Sequence, residues 1–510
     1  MKTPSFLLAA CTVMVLALVP CAQAQTAPGS ISGRVQSEVT GQYLLNVRVT
    51  VKGTDLTAFT DSYGIFRLAG VPSGTVTLDT FYSALDPQQI VLTLAPGQAV
   101  VRDISLTSRA TAGDKSGVVK LDPFVFTASK LTEGEALATN EQRFAANLKN
   151  VVAGDEYGDI GEGNVGAFLK FIPGVVVDMA GFQPNTVSVR GVPANNTPLT
   201  VDGQPIASAA TSGLNRNFEL VGLSMNNIAR VEVSKSPTPD MSANSLGGAV
   251  NVISKTAFEL ARPQFTYHAF ASANGMYLSL GEKPGPGEGT TGWRIQPGGD
   301  FSYIVPLSKT FGFTVSGIYF SRFQQSESSQ PMWSPISTNN AAGTAINPAL
   351  ISYRIPNAPA ILARESASAT ADWKFSPTDV LTLGLQYTGT DQFTDIVDQT
   401  WATGTVAAYD RTFTRGNSGA GTITWSTGSR RKSGATLFSN LKWRHTGPVW
   451  QIDGGGAYSR STNHYRDVDK GFFEQATFTL RNVTVAFAEI NPTRPSTMTA
   501  TTPAGTAVDG

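Results

Sequence analysis

Apolar and polar positions alternate along most of the chain, and the texture of that alternation changes three times. Residues 30–108 hold short alternating runs. Val47, Val49 and Val51 share one side of such a run, because successive side chains of a strand point to opposite faces. Asp61-Ser62-Tyr63-Gly64 and Pro72-Ser73-Gly74 interrupt the runs as turns. Short strands at this spacing predict a small β-sandwich, serving as a rigid spacer or as a ligand-binding module. Residues 109–139 are small and polar and read as a linker. One β-prone island, "VVKLDPFVFTAS" at 118–129, breaks the linker. It either packs locally or adds as a strand to the edge of another sheet.

Residues 140–257 mix two periods. Val165, Phe168, Leu169 and Ile172 recur at helical spacing behind Asn164, a residue suited to cap a helix, and Pro173-Gly174 ends the helix. The runs "VVV", "TVSVRG", "PLTVDGQPI" and "RVEVSK" predict strands, with Asp202-Gly203 as a tight turn. Gly247-Gly248 beside the next strand predicts a bulge or a close backbone approach.

From about Phe258 the runs become segments of about ten residues, among them "FGFTVSGIYFSRF", "VLTLGLQYTGT" and "GATLFSNLKWRHTG". Trp293, Tyr303, Tyr319, Trp373, Tyr387, Trp443, Trp450 and Tyr458 fall near their ends. Short turns such as 376–379 alternate with long polar insertions such as 322–362. Period two, aromatic ends and unequal connections predict a transmembrane β-barrel, with a large soluble solenoid or sandwich as the alternative. The fold class is therefore mainly β: a small β-sandwich, an α/β domain, then part of an antiparallel barrel. The boundaries are 1–24 for a leader, 30–108, 109–139, 140–257 and 258–510.

Composition narrows the function. Lys+Arg and Asp+Glu both number 38 in 510 residues, which argues against nucleic acid as a partner. Lys2, the apolar stretch from Phe6 to Val19 and Ala22-Gln23-Ala24 form a secretory leader, with the mature start near Gln25. "LVPC" at 18–21 offers a rival lipoprotein reading. Both cysteines, Cys11 and Cys21, lie in the leader, so a disulfide framework and a thiolate site are excluded from the mature chain. His268, His445 and His464 lack metal-ligand spacing. Gly161-Glu162-Gly163-Asn164-Val165-Gly166 matches a dinucleotide fingerprint, but no apolar strand precedes it, so it reads as a loop into the helix. No catalytic residue, metal or cofactor is expected, and the protein is not expected to be an enzyme.

"NVGAFLKFIPGV", "TVSVRGVP", "PLTVDGQPI", "IARVEVSKSPTPD" and "GGAVNVISK", in this order and spacing, resemble the plug domain of TonB-dependent outer-membrane receptors. The run from Thr60 to Gly74 resembles the carboxypeptidase-regulatory-like, transthyretin-type domains. Residues 140–165 resemble a subgroup linked to carbohydrate uptake. The resemblance implies a plug inside a 22-stranded barrel, a ligand bound at the outer face, outer-membrane lipid around the barrel, and TonB as the energising partner. It places the protein in the outer membrane of a Gram-negative-type bacterium, with the first domain in the periplasm.

The resemblance also assigns residues. The island supplies a TonB-box candidate at Leu121, Asp122, Pro123, Phe124, Val125, Phe126 and Thr127. Pro123 has no N–H for a ladder, so pairing should centre on Phe124 to Thr127. Arg190, Arg230 and Glu232 become candidates for docking plug to barrel. The loops at 178–183, 193–197 and 207–217 are candidates to face ligand, through Phe182, Gln183, Asn195, Asn196, Asn215 and Arg216. A full barrel of this kind needs more strands than about 250 residues supply at ~10 residues each, so a longer receptor is expected. The expected function is energised uptake of a scarce oligosaccharide or siderophore-type chelate. A signalling receptor, a non-transporting adhesin or carbohydrate-binding protein, and an enzyme are the competing classes.

Overall fold

The computed structural model describes residues 27–38, 41–83, 85–107, 137–154, 164–180, 183–209, 217–225, 227–239, 241–286, 291–334, 347–447, 450–467 and 475–508. The chain divides into two units, 1–141 and 142–510.

Among its described residues the first unit holds eight strands: β1 Gly29–Ser37, β2 Arg48–Val51, β3 Thr57–Phe59, β4 Ile65–Val71, β5 Gly74–Phe81, β6 Gln88–Leu94, β7 Ala99–Val101 and β8 Ile104–Leu106. One sheet runs β3-β2-β5-β6; in the other, β1 pairs with β4, β7 and β8. Val47, Val49 and Val51 all face the core, beside Ile31, Phe66 and Leu78. The Asp61 turn forms as its sequence predicts: its Oδ1 accepts the N–H groups of Tyr63 and Ile65, both at 2.9 Å. Gly64 there has φ +71°, and a Cβ would lie 2.6 Å from the Val35 carbonyl oxygen.

The second unit begins with an inner domain. Its five-stranded sheet runs β13-β12-β15-β14-β9, from β9 Lys149–Ala153, β12 Leu199–Val201, β13 Gln204–Pro205, β14 Ile228–Ser234 and β15 Ala249–Ser254. A hairpin of β10 Val175–Ala180 and β11 Gln183–Val189 lies outside that sheet. The helix α1, Val165–Leu169, is capped by Asn164, whose Oδ1 accepts the Gly166 N–H at 2.8 Å. Val165, Phe168, Leu169 and Ile172 are at most 2% exposed, as their spacing predicts. Gly247 and Gly248 do mark a close approach, but inside the inner domain rather than at the hand-over to the next strand. A Cβ on Gly248 would lie 2.4 Å from the Ser234 carbonyl oxygen, and one on Gly247 would lie 2.6 Å from Val192 Cβ.

The remaining strands form a wall: β16 Gln264–Ala273, β17 Lys283–Pro284, β18 Thr291–Gly292, β19 Ile295–Val305, β20 Phe311–Glu327, β21 Gln330–Ser334, β22 Ala349–Trp373, β23 Asp379–Ala402, β24 Val406–Tyr409, β25 Phe413–Gly416, β26 Gly421–Thr446, β27 Gln451–Tyr465, β28 Ala476–Ile490 and β29 Pro495–Thr501. Its main sheet runs antiparallel through β16-β19-β20-β22-β23-β26, and β26 then pairs with both β27 and β28. β17 and β18 form a separate hairpin. Several strands greatly exceed the ten residues expected. β22, β23 and β26 have 25, 24 and 26 residues, and much of the expected insertion 322–362 is strand. The ladder continues because alternation persists there with Gln, Arg and Ser in place of Leu and Tyr.

The register sorts the wall's side chains into two faces. One cross-strand row is Phe311, Trp373, Leu381, Trp443, and another is Gly317, Ala367, Tyr387, Leu437. Of the large apolar members of these rows, Phe311, Trp373, Trp443, Tyr387 and Leu437 are exposed and Leu381 is half-buried; all eight aromatic residues expected at segment ends are exposed. The opposite rows carry Thr314, Thr370, Gly384, Asn440 and Ser316, Ser368, Gln386, Phe438. Among these, Thr314, Thr370, Asn440, Ser316 and Ser368 are buried. The apolar belt runs from Phe311 to Tyr319, eight residue steps along β20. At ~3.4 Å per residue and a tilt of about 40°, that is about 20 Å of height, close to the apolar band of a membrane barrel. Beyond the belt the outward face turns polar, with Glu365 on β22 and an Asp391–Arg431 ion pair between β23 and β26. Among the described residues no helix is long and apolar enough to cross a membrane.

Candidate functional site

The inner domain meets the wall along its small, hydroxyl-rich face, and two cavities lie between them. The larger, about 380 Å³, is lined from the inner domain by Gln183, Asn185, Ser208 and Glu219. From the wall come Gln324, Thr388, Thr390, Gln392, Thr436 and Asn463, with Arg430 and Lys432. Every wall residue named here stands at an inward position, and most lie toward the long-connection ends of their strands. Among its polar side chains, neutral hydroxyl and amide groups outnumber charged ones. The two cations stand over one aromatic ring: Arg430 Cζ is 5.0 Å and Lys432 Nζ 6.0 Å from the Tyr465 centroid. Arg430 also pairs with Asp467 at 3.5 Å. Such a lining can hold a polar, hydrogen-bonding solute. Among the described residues no group of His, Cys, Asp or Glu could hold a metal ion.

The smaller cavity, about 200 Å³, lies toward the short-turn end and is bordered by Asp202, Asn440 and Lys442. Here the inner domain is fastened to the wall. Asp372, fully buried on β22, accepts the Ala257 N–H at 2.8 Å and the Thr382 hydroxyl at 2.7 Å. The Thr370 hydroxyl donates to the Lys255 carbonyl at 3.2 Å. Asp202, in the turn after β12, accepts the Ser254 N–H at 2.9 Å and the Asn440 amide at 3.2 Å. Higher up, the hydroxyls of Ser459 and Ser461 on β27 accept the N–H groups of Ala207 and Ala209, at 3.0 and 3.1 Å. Phe438, 3% exposed, projects from β26 into the inner domain's own core beside Val165, Leu220 and Val231.

One titratable group stands out at this seam. Glu259, partly buried where the chain passes from inner domain to wall, has its carboxyl pushed up to about 7 by desolvation. The Arg230 guanidinium and the Thr256 N–H pull against that rise, and the Asp372 carboxylate adds to it.

The expected site residues are distributed as follows. Arg230 Nε and Lys149 Nζ each lie 3.1 Å from a Glu232 carboxylate oxygen; the Lys149 pair joins β9 to β14 and the Arg230 pair lies within β14. Arg230 also acts on Glu259 through space. Arg190, at φ +59°, donates from Nη1 to the Lys235 carbonyl at 2.6 Å, again within the inner domain. Gln183 lines the larger cavity. Asn195 and Asn196 lie on a 3-10 turn, Ala194–Asn196, with Asn195 exposed. The leader, the stretch from Leu121 to Thr127, and Phe182, Asn215 and Arg216 lie outside the described residues. Sequence reasoning missed Asp372, Phe438 and Glu259. Asp372 did carry a signal, a lone acid on the otherwise small inward positions of "SASATADW".

An inner α/β domain seated against the hydroxylic face of a sheet, whose other face is an aromatic-edged apolar belt, is the layout of a gated outer-membrane barrel. Residues 142–249 match the TonB-dependent Receptor Plug Domain family. Residues 30–107 match the Carboxypeptidase regulatory-like domain family. Nothing among curated proteins matches. Among solved structures, a mutant ferric enterobactin receptor from Pseudomonas aeruginosa is 12% identical, with TM-score 0.34, over 71% of this chain and 57% of that one. The siderophore receptor PirA from Acinetobacter baumannii is 11% identical, with TM-score 0.27, over 70% of this chain and 60% of that one. A mutant type II cohesin–X-dockerin complex from Acetivibrio cellulolyticus matches 20% of this chain and 72% of that one at 19% identity and TM-score 0.15. The chain thus spans about 57–60% of the length of these two receptors. It combines a match to the carboxypeptidase regulatory-like domain family, a match to the TonB-dependent receptor plug domain family, and membrane-type strands.

Proposed function

We propose that the protein serves in a receptor that takes up a scarce ligand across the outer membrane, powered through TonB, and that it is not an enzyme. The observation that carries this is the plug-family match over 142–249, on a domain hydrogen-bonded to the inward face of a belted wall. The carboxypeptidase regulatory-like domain and the linker then lie in the periplasm, where Leu121 to Thr127 add as a strand to TonB. The ligand is a neutral, hydroxyl-rich solute of the oligosaccharide type. The hydroxyl and amide lining of the larger cavity, with an aromatic ring among it, supports that class over a multiply charged chelate.

The test compares the full-length gene product with a form lacking 121–127, in cells offered labelled oligosaccharides and ferric chelates. Binding retained with uptake lost in the deletion supports energised transport through this segment. Uptake unchanged by the deletion overturns the assignment of the segment. Selective uptake of ferric chelates overturns the ligand class.

A further inference from the structure

The first long connection of the wall, in its described parts 274–286 and 291–294, lies against the wall's outward face. Tyr277 packs edge-on against Phe323, with ring centroids 6.2 Å apart, and Arg294 Cζ stands 3.9 Å over the same ring. A Cβ on Gly292 would lie 3.5 Å from Ile361 Cδ1, and one on Gly285 would lie 3.1 Å from Asp395 Oδ2. Phe323 and Ile361 are cross-strand partners at outward positions, as is Asp395, so the β17–β18 hairpin crosses the outside of β20, β22 and β23. Beneath it Phe323 is only 3% exposed.

The segment beside the hairpin leaves a second face uncovered. Met276, Leu278 and Leu280 are 85%, 59% and 82% exposed, alternating with the less exposed Tyr277 and Ser279. Tyr277 is against the wall, so the three apolar side chains are turned away from it. Residues 273–281, "ANGMYLSLG", carry no charge. Phe323 lies four residues beyond Tyr319, the last aromatic of the belt on β20. At ~3.4 Å per residue and a tilt of about 40°, that sets the hairpin about 10 Å above the belt, at the depth of lipid headgroups.

We propose that residues 276–280 form a lipid anchor, an apolar strip that enters the headgroup–acyl boundary of the outer leaflet. The inference rests on the outer-membrane reading above. The strip follows directly from β16, whose outward Phe265 and Tyr267 are 58% and 70% exposed, so it continues the lipid-facing belt. A strip of large apolar side chains at an interface gains free energy in proportion to the area taken from water. Clamped by Tyr277 and Arg294, it resists vertical movement of the barrel and fixes the side from which this connection approaches the ligand entrance.

The test is a nitroxide label on Leu278→Cys in the full-length receptor, reconstituted in phosphatidylethanolamine–phosphatidylglycerol bilayers. Any cysteine beyond Cys11 and Cys21 is first replaced by serine. Collision with oxygen is compared with collision with a water-soluble nickel chelate, using Leu383→Cys in the belt and Lys283→Cys as references. The anchor requires an oxygen-to-nickel ratio at position 278 several-fold above that at position 283. Free access of nickel at 278, with position 383 still lipid-like, overturns the anchor and leaves the barrel reading intact. Low collision with both reagents at 278 marks protein cover and also overturns it. Nickel access at 383 overturns the barrel reading itself.

Discussion

The first unit and the inner domain are both small, β-rich and built around Val, Leu and Phe, yet their cores close differently. The first unit's core runs from Ile31 to Leu106 and consists of its own residues. The inner domain's core runs from Val152 to Val252 and then includes Phe438 from the wall. The first is an autonomous sandwich. The second is finished only by the structure it plugs, so its stability depends on its seat. A domain that has to respond to force or to ligand is suited by that dependence, because loosening the seat loosens the core.

Removing the shared side chain is the strongest way to break this contrast. Phe438→Ala is expected to cost about 3–5 kcal/mol by leaving a cavity. Amide-exchange protection should fall in α1 and β14 and stay unchanged in β1 and β5. Equal loss in both units would end the distinction. The mirror experiment is Leu78→Ala, which removes a fully buried side chain of the sandwich. It should cost about 2–5 kcal/mol, read as lost exchange protection confined to residues 29–106.

Smaller changes test the seam. Asp372→Ala strips the acceptor from the Ala257 N–H and the Thr382 hydroxyl, each worth about 1–3 kcal/mol when left unsatisfied. Proteolysis at 255–263 should quicken, and Asp372→Asn, which keeps an acceptor, should restore part of the resistance. Asn164→Ala removes the α1 cap at a cost of about 1 kcal/mol, visible as faster exchange at Gly166. Glu259 tests the seam through pH rather than through packing. Its folded value of about 7 lies above the ordinary 4.5, so the folded state holds its proton more tightly than the unfolded state does. Stability should therefore fall as pH rises from about 4.5 and level off above about 7. Glu259→Gln should flatten the pH dependence of inner-domain exchange across that window.

Local rules were legible in the sequence. Asn164 and the four apolar residues behind it specify a capped helix face, Asp61 specifies its turn, and the eight aromatics mark the exposed belt. Each depends on neighbours within a few residues. What was missed depends on partners far along the chain. In "LFSNL" both alternating faces carry an apolar residue, so the pattern cannot tell that Leu437 is exposed while Phe438 enters another domain's core. Strand length was underestimated because a ladder needs only backbone partners, which polar side chains do not forbid. Glu259 was not singled out because desolvation by a wall that begins after it leaves no mark nearby.

The participation of Phe438 also sets an order in time. A core that includes residue 438 cannot be completed when residue 257 leaves the ribosome, nor until β26 is laid into the sheet. The sandwich core closes from residues 31–106 alone, whereas the inner domain's core stays unfinished until β26 is in place.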